Sequence, residues 1–523
     1  MSNEVTHLPG HVCGSVPATV RQPLPERPLA IGMLLAALGC CSTAAQATNG
    51  EPQPLGLQRA IQYALAGNVQ LKRERVRFVV AQANTYAARG LFDFVLSVNA
   101  DYAQRRTPPA VRGGLNAGLR TSQDLSLSLT RPLETGGSVA LTLEGGRVGS
   151  DVAFDCGRAD QTKCAFYDSR WRLSFNHPLL RGLGVEVAMA EVRRSKLQED
   201  LSLLNRHARA VVIVRDVVHH YWEMAYATRD LSIRRDALML ARQQLQRTRA
   251  LIRAGRTAPS EVAAVELAIA NRKRDVALAE QTLTLRGLAL RRDFGLQAKP
   301  GISYVVSESA TVQPYPPAVQ ELIQLALAFS PQLQSLRKGI ELNDVDIRTA
   351  LATTRPRLDF VASLGSTGRK PDMADSIGQM ASLQQSTWSM GLRFELPLEN
   401  RRASGAHWAA LWNREGSQWE AEAFELELRE SVVRTALELE TAARRIELAE
   451  AAVRAAQQNL AAEQARFGAG QSTNNDVLQR QQELKEAELG VLRASIDWLI
   501  SEASLDALSG RLLERLGLRL EGL

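Results

Sequence analysis

The stretch AGQSTNNDV, Ala469 to Val477, has an earlier counterpart, AGRTAPSEV, from Ala254 to Val262. Each places small and turn-forming residues at the same steps and ends on an acid followed by Val. Each also stands between long Ala-rich segments poor in Gly and Pro. From Val185 to Ala254 the chain has neither Gly nor Pro, and an unbroken helix of that span, at about 1.5 Å per residue, would be on the order of 100 Å long. No compact globular core needs such a rod. The chain is therefore expected to hold two copies of one long helical hairpin, in a mostly α fold with an internal twofold repeat.

The rest of the sequence repeats as well. AIQYALAGNVQL at Ala60 is echoed by LIQLALAFSPQL at Leu322, and WRLSFNHPLL at Trp171 by MGLRFELPLE at Met390. The first offset is 262 and the second 219, so the first half holds about 43 extra residues between its head helix and its last strand. The domains expected are a leader, 1–47; a first repeat, 48–298; a linker with four prolines, 299–317; and a second repeat, 318–523.

Between the helical stretches the hydrophobic period changes from 3.6 to two. Leu96, Val98, Ala100 and Tyr102 alternate with Ser97, Asn99 and Asp101. Leu125, Leu127 and Leu129 continue the pattern, then Val139, Leu141 and Leu143, and Trp171, Leu173 and Phe175. The extra residues of the first half include the 125–143 hairpin. In the second half Leu358 to Leu364 and Ser386 to Leu396 are the strand pair, with Trp388, Met390, Leu392, Phe394 and Leu396 on one face. Such strands have one apolar and one polar side. Helices are expected over Leu57–Arg89, Val185–Ala254, Ser260–Phe294, Ser417–Phe467 and Asp476–Leu508.

The N-terminus carries an export address. Leu29 to Leu38 is an apolar run of signal-peptide length, too short to span a bilayer as a helix. Two processing readings stand. Cleavage after Ala47 fits Ala45-Gln46-Ala47 and is favoured; Leu38-Gly39-Cys40 resembles a lipoprotein box with Cys40 lipidated, but has Ala37 where a larger aliphatic residue is usual. Export makes a local disulfide between Cys156 and Cys164 the first reading of that pair, since an oxidising compartment lets it close.

Other chemistry has little support. The 63 Lys and Arg and 56 Asp and Glu are interleaved along helix faces, which does not resemble a nucleic-acid stripe. GAGQST lacks the Lys of a phosphate loop. His219, His220 and Glu223 have ligand-like spacing but sit where aromatic packing is expected, and no set of nucleophile, base and oxyanion donors is visible. The chain is read as a non-enzyme, with no catalytic, metal or cofactor site.

An exported chain without a membrane helix, whose few strands are two-faced, can cross an outer membrane only as part of a closed barrel. Two to six strands cannot close alone, so several copies must share one barrel, with the charged long helices in the periplasm. At this point the twofold order of motifs, PLLRGLG at Pro178, PLENRRASG at Pro397, YWEMAYA at Tyr221 and the paired AG-x-x-x-x-x-[DE]-V turns resemble the TolC family of outer-membrane efflux channels, over about Leu57 to Leu508. The resemblance implies a homotrimer in outer-membrane lipid, with a shared β-barrel of two to six strands per protomer and a long periplasmic α-helical barrel. It also implies a periplasmic adaptor and an inner-membrane pump as partners, serving tripartite efflux or type I secretion by passive conduction. It places Glu261 and Asp476 at the periplasmic entrance, although Ala264 and Gln479 stand where family members often carry a second acid. Asp476 also follows Thr473 at capping-box spacing. Arg393 and Glu395 are candidate lumen charges or a cross-strand pair. The rival readings are a periplasmic adaptor and a soluble coiled-coil scaffold.

Overall fold

The computed structural model describes residues 53–107, 118–150, 164–254, 258–298, 304–308, 312–469 and 471–518. The leader, 1–47, with Cys40, and Cys156 lie outside these residues; Cys164 is placed by its backbone alone, so the candidate disulfide lies outside as well.

A short strand, β1 (Gln53–Leu55), precedes helices α1 (Leu57–Gly67) and α2 (Val69–Arg89). Strands β2 (Val95–Thr107), β3 (Gly118–Pro132), β4 (Ser138–Ser150) and β5 (Cys164–Pro178) follow, then the single turn α3 (Val185–Ala188) and helices α4 (Ala190–Arg253) and α5 (Glu261–Asp293). The second half runs β6 (Tyr304–Val306), α6 (Val319–Phe329), α7 (Pro331–Thr354), β7 (Arg357–Lys370), α8 (Met373–Ala381), β8 (Ser386–Glu395), α9 (Arg401–Gly468), α10 (Asn474–Leu508) and α11 (Leu512–Arg515). Among the described residues no helix is long and apolar enough to cross a membrane.

The structure revises three boundaries. The helix expected over Leu57–Arg89 divides at Asn68, whose side chain accepts from the backbone N–H groups of Gln70 and Leu71 and so caps α2. The same break recurs at Ser330, which caps α7 ahead of Pro331 at its first position. The helix expected to start at Ser417 begins at Arg401 instead. Gly405 and Gly416 each cost it about 1 kcal/mol against Ala, which packing along a helix of 68 residues overrides. Within the expected linker, Tyr304–Val306 forms a strand that pairs parallel with β1 and ties the linker to the start of the first repeat.

The helices form a wall four deep across. In the half nearer the strands the order is α2, α4, α7, α9; in the other half it is α5, α4, α10, α9. Only α4 and α9 run the full length, about 100 Å each at 1.5 Å per residue. The shorter helices meet end to end. The Asn68 amide donates to the Asp293 carbonyl at 2.9 Å, and Gly295, at φ +69°, lies against Gly67 where a Cβ would sit 2.3 Å from the Gly67 carbonyl oxygen. The corresponding joint places Gly510 against Phe329.

The core gathers at these joints. Tyr221, Met224 and Val217 of α4 pack with Ile61 of α1 and Leu290 of α5, and the Tyr221 hydroxyl donates to the Leu55 carbonyl at 3.1 Å. Burial pushes the Tyr221 phenol well above its usual range. The counterpart cluster joins Leu322 and Ile323 of α6, Val432 and Leu439 of α9 and Trp498 of α10. The YWEMAYA stretch thus serves the fold first.

All six longer strands make one antiparallel sheet in the order β2-β3-β4-β5-β7-β8. Every expected strand is present, and the extra hairpin of the first half is β3–β4.

Candidate functional site

Two regions carry features that the fold itself does not require: the two-faced sheet and the meeting point of the hairpin tips.

The sheet register lines up one face across all six strands. Leu96, Leu129, Leu141, Leu173, Leu364 and Trp388 form a continuous apolar row. Phe175, Ala362 and Met390 form part of the next row toward the helices. Near the far end of the strands the same face carries Tyr102, Arg147, Tyr167 and Lys370, and near the helical end Phe94 lies under the Arg131 guanidinium at 4.7 Å. Aromatic and basic residues bounding an apolar band match the girdles of an outer-membrane barrel. The opposite face is polar: Glu144 accepts from Arg170 at 2.9 Å and Asp168 from Arg369 at 2.7 Å.

Arg393 and Glu395 lie on this polar face at the helical end of β8, in register with Asp359 and Arg357 of β7. Asp359 is buried and pairs with Arg357 at 2.7 Å. The four charges form a cross-strand block at the junction between sheet and helices.

At the far end of the helices, the turn between α9 and α10 lies beside the first hairpin. Asn474 is 1% exposed and holds the two hairpins together. Its side-chain oxygen accepts from the Gln244 amide and, at 3.0 Å, from the Thr248 hydroxyl, both on α4. Its amide donates to the Glu261 carboxylate on α5 at 3.3 Å. Glu261 thus faces the neighbouring hairpin. Asp476 instead turns back on its own helix, where it accepts from the Thr473 hydroxyl at 2.7 Å and backbone N–H at 3.1 Å, completing a capping box. Hydrogen bonds from Thr473 and Ser472 and the charge of Arg480 hold its carboxyl below the usual range.

Farther from the tip the same seam is charged. Lys485 of α10 is 5% exposed, and burial together with Arg234 and Arg272 pushes its ammonium down; Asp275 and Asp230 act the other way. Arg272 donates to Gln482 at 2.6 Å, and Arg234 pairs with Asp230 at 2.7 Å. Beyond them Glu223 of α4 accepts from Arg493 of α10 at 2.8 Å and pairs with Arg286 of α5 at 3.1 Å. His220 contacts Asp293 at 2.5 Å, so His220 and Glu223 are used for contacts between helices. Among the described residues no three His, Cys, Asp or Glu side chains gather as a metal site would require.

Sequence reasoning singled out the two acids and missed Asn474, Gln244, Thr248 and Lys485. Asn474 lies inside the repeated turn, but nothing in its neighbours marks it as buried.

Residues 322–511 match the family described as outer membrane efflux protein. No curated protein matches the sequence. Among solved structures, the outer membrane protein VceC of Vibrio cholerae superposes with a TM-score of 0.63 at 14% identity, over 87% of this chain and 96% of its own. The open state of the MtrE channel of Neisseria gonorrhoeae gives 0.61 at 15% identity, over 87% and 89%. The CmeC channel of Campylobacter jejuni gives 0.61 at 13%, over 87% and 86%. Residues 322–511 are therefore similar to the outer membrane efflux protein family, and across both halves the chain has the fold of these outer-membrane channels.

Proposed function

We propose that three copies of this chain form a conduit from the periplasm through the outer membrane, passively passing cargo delivered by an energised inner-membrane pump and a periplasmic adaptor. One observation carries the reading: the sheet has two open edges, and each continues into the helix at the same end of the wall, which bears an uncovered apolar stripe. Strand β2 follows α2, which exposes Val76, Val79 and Tyr86; β8 leads into α9, which exposes Trp408, Trp412 and Trp419. The two stripes overlap in height above the sheet, because α2 runs toward it and α9 away from it. A surface that is complementary to a different surface of its own copy makes a head-to-tail interface, which closes into a ring when the rotation permits. Closing the ring pairs β8 of one copy with β2 of the next and removes both edges.

The polar face then lines the pore, and the helix tips form the periplasmic entrance. Glu261 and Asp476 bring six carboxylates to a ring of three, with Asn474 tying each pair of hairpins shut between openings. Fractionation tests the reading: a detergent-resistant trimer in the outer membrane, conducting ions in a planar bilayer, is expected. A buffer-soluble monomer overturns it. Replacing Glu261 and Asp476 together by Ala should weaken block of the channel by polyvalent cations at least severalfold, and unchanged block removes them from the entrance.

A further inference from the structure

The extra hairpin of the first half is built into the sheet. Strand β3 pairs with β2 over all thirteen β2 residues, from Val95↔Thr130 to Thr107↔Gly118. Pairing of β3 with β4 runs from Arg120↔Ser150 to Pro132↔Ser138, and of β4 with β5 from Ser138↔Asn176 to Ser150↔Cys164. Both faces continue through it. Leu129 and Leu141 fill the apolar row between Leu96 and Leu173, and Ser128 and Thr142 fill the polar row between Ser97 and Arg172. A hairpin folded into the lumen or lying outside the membrane would break both rows.

Its turn is also fixed at the helical end. The Leu133 N–H donates to Gly137 at 2.7 Å and the Gly136 N–H to Leu133 at 2.8 Å. Gly136, at φ +96°, lies so close to the segment after β5 that a Cβ would sit 2.2 Å from the Gly182 carbonyl oxygen. Thr135 accepts from the Gly184 N–H at 3.2 Å, and its hydroxyl lies 3.2 Å from His177 Nε2. The turn is therefore docked on the junction from which α3 and α4 depart. A short turn at this end, with the longer connections 108–117 and 151–163 at the other, is the arrangement of a membrane barrel strand pair.

We propose that β3 and β4 are membrane-spanning barrel strands, so that a ring of three copies closes a barrel of eighteen strands with no narrowing between the helical tunnel and the outer opening. The count of three rests on the conduit reading above; the place of the hairpin does not. Widths support the proposal. Four helices spaced 8–10 Å apart cover an arc of about 36 Å per copy. Six strands 4.8 Å apart and tilted by 35–45° cover about 38 Å, whereas four would cover about 25 Å. With six, the strands take over from the helices across the same arc. The closed barrel would measure about 36 Å between opposite backbones, against about 24 Å for twelve strands. Size selection then falls to the helix tips, and the outer opening passes whatever the tips admit.

Electron cryomicroscopy of the full chain in lipid nanodiscs tests this directly. A trimer with eighteen strands in cross-section is expected. A trimer with twelve overturns the proposal while leaving the conduit reading in place, and a protein that forms no ring overturns the conduit reading and the count with it. Disulfide trapping in the full chain, with Cys156 and Cys164 changed to Ser, gives a second readout. Val98→Cys with Leu127→Cys, and Leu143→Cys with Trp171→Cys, should each cross-link in the outer membrane. Val98→Cys with Trp171→Cys should not, since three strand spacings separate them by about 14 Å. A cross-link in that last pair, with none in the other two, would mean that β2 pairs with β5 directly and that the hairpin lies outside the wall.

Discussion

The two repeats share their helices and differ in their strands. The head helices α1 and α6 are each 11 residues long, and the long helices α4 and α9 have 64 and 68 residues. Yet the first repeat contributes four strands to the sheet and the second only two. Helix length is fixed by the distance to be spanned, and the end-to-end joints at Asn68 and Ser330 must fall at one level for both cores to pack. Strand number is freer. A whole hairpin adds two strands and leaves the direction of every later strand unchanged; a single added strand would make α4 depart from the wrong end of the sheet. Growth of such a wall therefore comes in pairs of strands, and only where a short turn can dock at the helical end.

If the repeats differ only inside the sheet, the contact between copies should follow the helices in both. Trp412→Glu is expected to have the largest effect, because it places a charge in the middle of the exposed tryptophan stripe of α9. Central aromatic anchors are worth about 2–4 kcal/mol each in interfaces, and each copy of the ring would lose one. The detergent-resistant trimer should disappear from gels and native mass spectra while helical content is retained. A surviving trimer would show that the α2 and α9 stripes face something other than one another.

The second prediction concerns the tips, where the repeats touch without being equivalent. Asn474 reaches across from α10 to Gln244, Thr248 and Glu261, and among the described residues no hydrogen bond runs from the first hairpin's turn to the second in the reverse sense. Asn474→Ala leaves the buried Gln244 amide without its acceptor, whereas Thr248 keeps the Gln244 carbonyl, a loss of about 1–3 kcal/mol to the closed seam. Single-channel recordings should show a several-fold rise in conductance or open probability. Unchanged gating would mean that the seam is held elsewhere, with the Glu223, Arg286 and Arg493 cluster the next place to look.

Much of this was legible in sequence because the helical and strand periods are strong. The alternation from Trp388 to Phe394 matches a strand whose apolar residues continue the row through Leu364 and Ala362, and the repeated turn falls between the long helices of each half. What periodicity does not show is which polar residues become buried between elements distant in the chain. Gln244, Asn474 and Lys485 read as ordinary helix-surface residues, and only the packing of α10 against α4 and α5 covers them. The hairpin at 125–143 was visible as strands, but its place in the wall depends on cross-strand register and on the docking of Gly136 against Gly182. Neither is encoded locally.

Lys485 offers a smaller effect with a definite sign. It stands on α10 facing Asp230 and Arg234 of α4 and Arg272 and Asp275 of α5, so three cations meet two anions. A lysine whose folded pKa lies below its unfolded value binds fewer protons folded than unfolded. Stability therefore rises with pH from the lowered pKa up to about 10.4, the unfolded value, as the buried charge is relieved. Lys485→Met should raise the melting temperature by a few degrees at pH 7, and the advantage should shrink toward pH 10. A destabilised variant would show that the aspartates outweigh the neighbouring arginines and that the cluster holds the seam closed.

The smallest effect separates the two hairpin starts. Helix α10 opens on a capping box between Thr473 and Asp476, whereas α5 opens at Ser260 with no side-chain cap and Glu261 turned toward the other hairpin. Thr473→Ala should make the first turn of α10 behave like that of α5, with the amide of Asp476 exchanging with solvent about tenfold faster by hydrogen exchange. The carboxyl of Asp476, without the Thr473 hydroxyl as a donor and left with the backbone N–H, should titrate closer to the usual carboxylate range. In the native protein the cap is present above the unfolded carboxyl pKa and is lost as pH falls through the lowered folded value. Acid should therefore loosen the α10 turn before the α5 turn in the native protein, and this order should vanish in the variant. If both turns exchange alike before substitution, the cap does nothing to hold the tip, and the asymmetry between the hairpins reduces to the single reach of Asn474.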